Sequence, residues 1–190
     1  MLIGLTGGIA SGKTAVTDIL RELGYPVIDL DEVSRAITAP GTDGERLLMN
    51  AFPSCVASGR LSRRALRALI FSDASARARL NDVMRVPLQL GLEVQLLAKA
   101  DEPKLFVSVP LLVETGMQSL FDRIWTVYAP AEVRINRLTA RDTITREEAC
   151  AAIAAQATDG ERAAAADEVI VNDGALTALR ERVAALAGKA

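Results

Sequence analysis

The chain has 190 residues, 50% of them hydrophobic, a formal net charge of −2 and no histidine. That length predicts one compact domain with a proper core and room for an inserted subdomain. Without histidine there is no Ser-His or Cys-His dyad, no imidazole base and no His-ligated metal, so acid–base work falls to Asp, Glu, Lys, Tyr or Cys.

Residues 2–6 form an apolar run that ends at Gly7-Gly8 and is followed by Lys13. With no basic segment before it, the run reads as a buried strand and as neither a signal peptide nor a membrane span, so a cytoplasmic location is expected. Residues 13–23 place Val16, Ile19, Leu20 and Leu23 on one helical face, and Gly24 is the expected stop. Short runs rich in Val and Ile recur at 26–30, 105–109, 124–128 and 169–171, each followed by Gly, Pro, Asp or Asn, and each reads as a strand. Helical spacing at 63–71 and 76–98 fills the long gap between the second and third strands, which predicts an inserted helical subdomain. A smaller helical piece at 131–155 precedes the last strand. The alternation predicts an α/β protein in three layers, a five-stranded parallel sheet with helices on both faces and ligands at the carboxyl ends of the strands.

Directly after the first strand stands Gly7-Gly8-Ile9-Ala10-Ser11-Gly12-Lys13-Thr14, which satisfies G-x-x-x-x-G-K-[ST]. Glycines let the backbone fold into a nest of inward N–H groups, and the helix that follows adds its positive end. In such a nest Lys13 would reach the β- and γ-phosphates of a triphosphate, and the Thr14 hydroxyl would help hold Mg²⁺. At this chain's own residue frequencies a chance match arises roughly once in 500 such sequences.

Other features narrow the class. None of the four lysines follows an asparagine, so the guanine-reading N-K-x-D of GTPase switches is missing. Motors usually place an acid after an apolar strand, but the third strand here carries none until Glu114. The second strand ends Val27-Ile28-Asp29-Leu30-Asp31, and strand alternation would point Asp29 and Asp31 the same way beside the loop. Asp31 then reads as the base that takes a proton from an acceptor hydroxyl, with Asp29 or Asp31 able to assist Mg²⁺ through water. A competing reading makes one of them the N-cap of a helix at 32–38. Arg134, Arg137 and Arg141 share one face of a helix starting near Ala131. Arg134 reads as an ordinary surface charge, whereas Arg137 and Arg141 read as a lid that closes on the triphosphate.

A weakly acidic total without a long basic run argues against a nucleic-acid partner. Cys55 and Cys150 stand in no metal-ligand spacing, and both read as ordinary buried or half-buried thiols in a reducing compartment.

Taken in order, these residues resemble the dephospho-coenzyme A kinase family over nearly the whole chain. The matching pieces are the segment 4–14; Asp29-Leu30-Asp31 with Arg35 and Pro40-Gly41; residues 59–71 around Leu61, Arg63 and Leu66; and Val109-Pro110-Leu111-Leu112-Val113-Glu114. They continue with Arg137-Leu138, Arg141-Asp142 and Ala154-Ala155-Gln156, and close with Ala166-Asp167 and 169–174. The resemblance implies a P-loop NTPase fold and ATP-dependent phosphorylation of the ribose 3′-hydroxyl of dephospho-CoA. It implies that Gly8, Ala10, Ser11, Gly12, Lys13, Thr14 and Ala15 surround the ATP phosphates, with Asn172 and Gly174 near adenine. It further implies Asp31 as base, Arg137 and Arg141 as lid, and Asp31, Arg35, Arg63 and Glu114 as acceptor contacts. The expected organisation is a single domain with a core at about 1–31, 103–130 and 157–190, a helical acceptor-binding insertion at about 32–102 and a lid at about 131–156. The expected partner is a small molecule, without nucleic acid or membrane, bound by a monomer or weak homo-oligomer. The alternatives are another small P-loop nucleoside or nucleotide kinase, or a non-catalytic nucleotide-binding module. One place departs from the family: its usual His-Pro pair is Val86-Pro87 here, after Arg85.

Overall fold

The computed structural model describes residues 1–189, apart from the Phe71 side chain. Ala190, the last residue of the expected core, lies outside the described residues. The chain divides into two compact units, residues 1–29 with 101 onward, and residues 30–100.

In the first unit, β1 (Leu2–Gly7), β2 (Val27–Asp29), β5 (Leu105–Ser108), β6 (Arg123–Tyr128) and β7 (Glu168–Val171) form one parallel sheet. The order β2-β5-β1-β6-β7 puts β1 at its centre. Chain connections leave β1 for one side of the sheet and later cross to the other, so a crevice opens at its carboxyl end. Helices α1 (Lys13–Glu22) and α9 (Leu176–Lys189) cover one face. Their apolar sides meet Ile3, Leu5, Phe106, Trp125 and Ile170 in a core containing Val16, Ile19, Leu20, Leu179 and Val183. Each such aliphatic or aromatic side chain contributes about 1.5–3 kcal/mol on burial. Helix α1 stops as its sequence predicts: Tyr25 N–H donates to Leu20 O and Gly24 N–H to Arg21 O, each at 3.0 Å, a Schellman closure.

Helices α6 (Ala131–Asp142), α7 (Arg146–Ala154) and α8 (Asp159–Ala164) precede β7. The expected single helical piece at 131–155 is therefore two helices, separated where Thr143 adopts a left-handed conformation at φ 53°. Thr145 then caps α7 through a reciprocal box with Glu148. Ile135, Leu138 and Ala149 pack with Ile9 and Ala10 of the glycine-rich loop.

The second unit holds α2 (Leu30–Ile37), α3 (Asp43–Ala51), α4 (Arg63–Ser72), α5 (Ala74–Leu97) and a small hairpin of β3 (Val56–Ala57) and β4 (Arg60–Leu61). Leu48, Phe52, Cys55, Leu66, Ala76 and Met84 form its core. The hairpin was not foreseen, because two-residue strands carry no readable period. Its turn at Ser58-Gly59 has positive φ at both positions, the two-residue geometry that suits twisted strands.

Two expectations are corrected. The second strand stops at Asp29 and α2 begins at Leu30, so Asp31 sits in a helical first turn and alternation with Asp29 does not apply. Acidic Asp31 and Glu32 suit the positive end of that helix, which is why the strand gives way there. Pro87 lies inside α5, in keeping with the helical spacing at 76–98, and Val86 beside it is 57% exposed. Finally, Cys55 is buried as expected, but Cys150 is exposed on α7.

Candidate active site

The loop between β1 and α1 is shaped by what its carbonyls do. Gly8 O accepts from Ser11 N at 3.0 Å, which makes the first turn. Ile9 O accepts from Arg134 Nε at 3.0 Å, and Ala10 O and Ser11 O both accept from Arg137 Nη1 at 3.2 Å. Ser11 O also accepts from the Asn172 amide at 2.7 Å, while Ile9 N–H donates to Gln156 Oε1 at 2.7 Å. The loop is thus tied from behind through its oxygens. On its other side, the N–H groups of Lys13, Thr14 and Ala15 occupy the first turn of α1 and have no carbonyl within the helix to bind. Gly12 caps that helix at φ 99°, without a side-chain cap. A Cβ at Gly12 would also collide with the Asn172 amide, so the glycine is required twice over. At Gly8 a Cβ would fall 2.5 Å from Arg134 Nη2, so the guanidinium packs directly on the backbone.

This arrangement offers free N–H groups, a helix N-terminus and an ammonium to an anion, while the carbonyl dipoles are turned away. Lys13 Nζ donates to Ser108 Oγ at the end of β5. The Thr14 side chain is exposed at the mouth of the loop. Among the described residues no group of three His, Cys, Asp or Glu could hold a metal by itself. A hydroxyl with phosphate oxygens and water suits Mg²⁺, which keeps most of its ligands from substrate and solvent.

Behind the loop runs a chain of alternating charges. Arg134, only 2% exposed, donates through Nη1 to Asp159 Oδ1 at 2.9 Å. Asp159 lies 3.7 Å from Arg162, also 2% exposed, and Arg162 Nη2 donates to Glu114 Oε1 at 2.9 Å. The same Glu114 oxygen accepts from Ala157 N–H at 2.9 Å. Arg134 is therefore no surface charge, contrary to the sequence reading: its helix turns it inward, where Ile9 O and Asp159 receive it.

The predicted residues fall into distinct groups. Lys13, the loop residues, Arg137 and Asn172 come together in the first unit. Arg141 does not touch the loop in this structure; its Nε and Nη2 grip Asp142 at 2.8 and 2.7 Å, and that bond raises the guanidinium above its ordinary pKa. Gly174 is exposed and follows Asp173, which pairs with Arg182 at 3.4 Å. Asp31, Arg35 and Arg63 belong to the second unit. Asp31 and Arg35 stand one turn apart on α2, while Arg63 Nη2 donates to Thr38 O at 2.7 Å and so ties α4 to the end of α2. Sequence reasoning missed Arg134, Gln156, Asp159, Arg162 and Ser108 as parts of this neighbourhood. A hydroxyl in the otherwise apolar strand Leu105–Ser108 was a visible signal; the ion chain had none.

A glycine-rich loop on the central strand of this sheet order defines a P-loop kinase fold. Shikimate kinase from Acinetobacter baumannii shares it, with a TM-score of 0.55 and 16% identity, over 99% of this chain and 93% of its own. A family model described as Dephospho-CoA kinase matches residues 1–178. The Dephospho-CoA kinase of Thiobacillus denitrificans is 43% identical over 187 residues, 97% of this chain and 92% of its own. That of Moorella thermoacetica is 41% identical over 189 residues, 97% and 89% of the two chains. A solved Thermus thermophilus protein covers all of this chain and 97% of its own at 35% identity and a TM-score of 0.86. The chain belongs to the dephospho-CoA kinase family.

Proposed function

We propose that this chain performs its family's reaction: ATP phosphorylates the ribose 3′-hydroxyl of dephospho-CoA, giving coenzyme A and ADP, the last step of coenzyme A synthesis. The observation that carries the reading is the braced loop, whose carbonyls are occupied from behind while the first-turn N–H groups and Lys13 stand ready for a triphosphate. Catalysis of this kind rests on positioning and charge neutralisation, for which the absence of histidine is no handicap.

In the proposed site, Gly8, Ala10, Ser11, Gly12, Thr14 and Ala15 surround the phosphates and Lys13 neutralises the β- and γ-phosphates. Asn172 and Gly174 belong to the adenine end. Thr14 holds Mg²⁺ bound with ATP, and the cation supplies charge neutralisation at the phosphate oxygens. Asp31 accepts the proton of the 3′-hydroxyl as that oxygen bonds to the γ-phosphorus and the bond to the ADP oxygen breaks. Arg137 and Arg141 compensate the charge that develops on the transferred group. Arg137 already spans the back of the loop, whereas Arg141 must leave Asp142 to act. Arg35, Arg63 and Glu114 serve the acceptor, Glu114 from the turn after β5 in which its carboxylate holds the Ala157 N–H and Arg162. The small-molecule acceptor fits a protein in whose described residues no helix is long and apolar enough to cross a membrane.

Pure protein given ATP, Mg²⁺ and dephospho-CoA should yield coenzyme A and ADP in equal amounts. Absence of coenzyme A at high enzyme concentration, or preference for an acceptor lacking pantetheine offered in the same tube, would overturn the reading.

A further inference from the structure

Ser108 is a buried hydroxyl in a strand whose other residues are Leu105, Phe106 and Val107, and its side chain is fully shielded from solvent. Its backbone pairs in register with Leu5 of β1 on one side and Asp29 of β2 on the other. It therefore stands at the carboxyl edge of the sheet beside the strand that feeds the phosphate loop. Its hydroxyl receives a hydrogen from Lys13 Nζ, the one side chain of the loop that carries a full positive charge.

We infer that Ser108 is a positioning residue, which holds the Lys13 ammonium at the crevice before and during nucleotide binding. The inference rests on the phosphate role proposed for Lys13. A lysine has a long, flexible stem and three donors on a tetrahedral nitrogen. Spending one donor on Ser108 aims the other two away from the sheet edge, toward the loop's open side. The stem's rotamers are then restricted before ATP arrives, so binding need not order them. A hydroxyl is suited to this because it is neutral. A carboxylate at the same strand end would cancel the ammonium's charge and compete with the phosphates for it, whereas Ser108 accepts a hydrogen and leaves the charge whole. A fixed ammonium at full charge is the form of electrostatic stabilisation that needs no rearrangement as the phosphoryl group moves.

The test is a double-mutant cycle read in ATP affinity and steady-state kinetics, with thermal melting as a fold control. Ser108→Ala should weaken ATP affinity and lower kcat/KM for ATP about tenfold, with the KM for dephospho-CoA unchanged. Ser108→Thr, which returns the hydroxyl, should recover activity to within about twofold of the parent. In a Lys13→Ala background, Ser108→Ala should cost nothing further, because the group it positions is gone. Equal losses in both backgrounds, or no loss in Ser108→Ala alone, would overturn the inference while leaving the role of Lys13 standing. Unchanged ATP affinity and turnover in Lys13→Ala would instead remove the proposed phosphate role and this inference with it.

Discussion

The phosphate loop takes its carbonyl partners from Arg134, Arg137 and Asn172, which lie 125 to 161 residues away in the chain. In the unit of residues 30–100, Gly41 bonds Glu45, Thr38 bonds Ser34, Asp73 bonds Ser75, and Arg63 reaches Thr38 across 25 residues. Beyond the Gly8–Ser11 turn, a loop that must present its N–H groups to a ligand cannot also spend them on its own carbonyls, so distant guanidinium and amide groups hold those oxygens. A helical unit satisfies its backbone internally and needs only caps. The first region is therefore sensitive to single long-range contacts, the second to local ones.

The sharpest break in that contrast comes from Lys13→Ala, which should lower turnover about 10³-fold, measured as coenzyme A formation, while the melting curve stays within a few degrees of the parent. Asp31→Asn should lower kcat about a hundredfold and leave ATP affinity intact, and unchanged turnover would remove Asp31 from the role of base. Arg134→Met tests the bracing rather than the chemistry. Losing a buried guanidinium that holds Ile9 O and Asp159 should destabilise by about 3 kcal/mol, a fall in melting midpoint of roughly 6–12 °C, and weaken ATP binding as well.

Two neighbouring arginines sharpen the comparison further. Arg137→Met should reduce both stability and ATP affinity, because its bonds to the loop carbonyls of Ala10 and Ser11 and to Asn172 O are part-buried. Arg141→Met removes only an exposed pair with Asp142, so stability should change by less than about 0.5 kcal/mol while turnover falls. Unchanged turnover would confine Arg141 to the surface.

The smallest effect belongs to the helical unit. Glu45 has its carboxyl held below its ordinary pKa, chiefly by the N–H of Gly41 at 2.6 Å. A depressed folded-state pKa contributes stability above the unfolded value and loses it as pH falls through the folded one. The melting midpoint should accordingly decline below about pH 4, and Glu45→Gln should lower the value near neutrality slightly and flatten the decline, because the variant lacks at every pH the ionised carboxylate that the parent loses only in acid.

How far all this could be foreseen depends on the range of the interaction. The five strands and α1 were legible because each is short, apolar and punctuated, and the loop because its spacing carries its own mechanism. Asp31 was misjudged as a strand residue because carboxylates after an apolar strand read equally as alternating strand residues and as the acidic first turn of a helix, and α2 starts one residue earlier. Arg134 was misjudged because an arginine three residues before Arg137 looks the same whether its helix face meets water or the loop.

The sequence by itself determined the sheet, the nest and the lysine in it, since periodicity, glycine and a fixed motif are local properties of the chain. Only the tertiary structure decided which guanidinium groups hold the loop, that Glu114 ends an ion chain through Arg162 and Asp159 to Arg134, and that Ser108 receives Lys13. Apart from Asp159 with Arg162, one turn apart on α8, those are pairings across more than twenty residues, and charge or polarity at one position does not say which distant group will desolvate it.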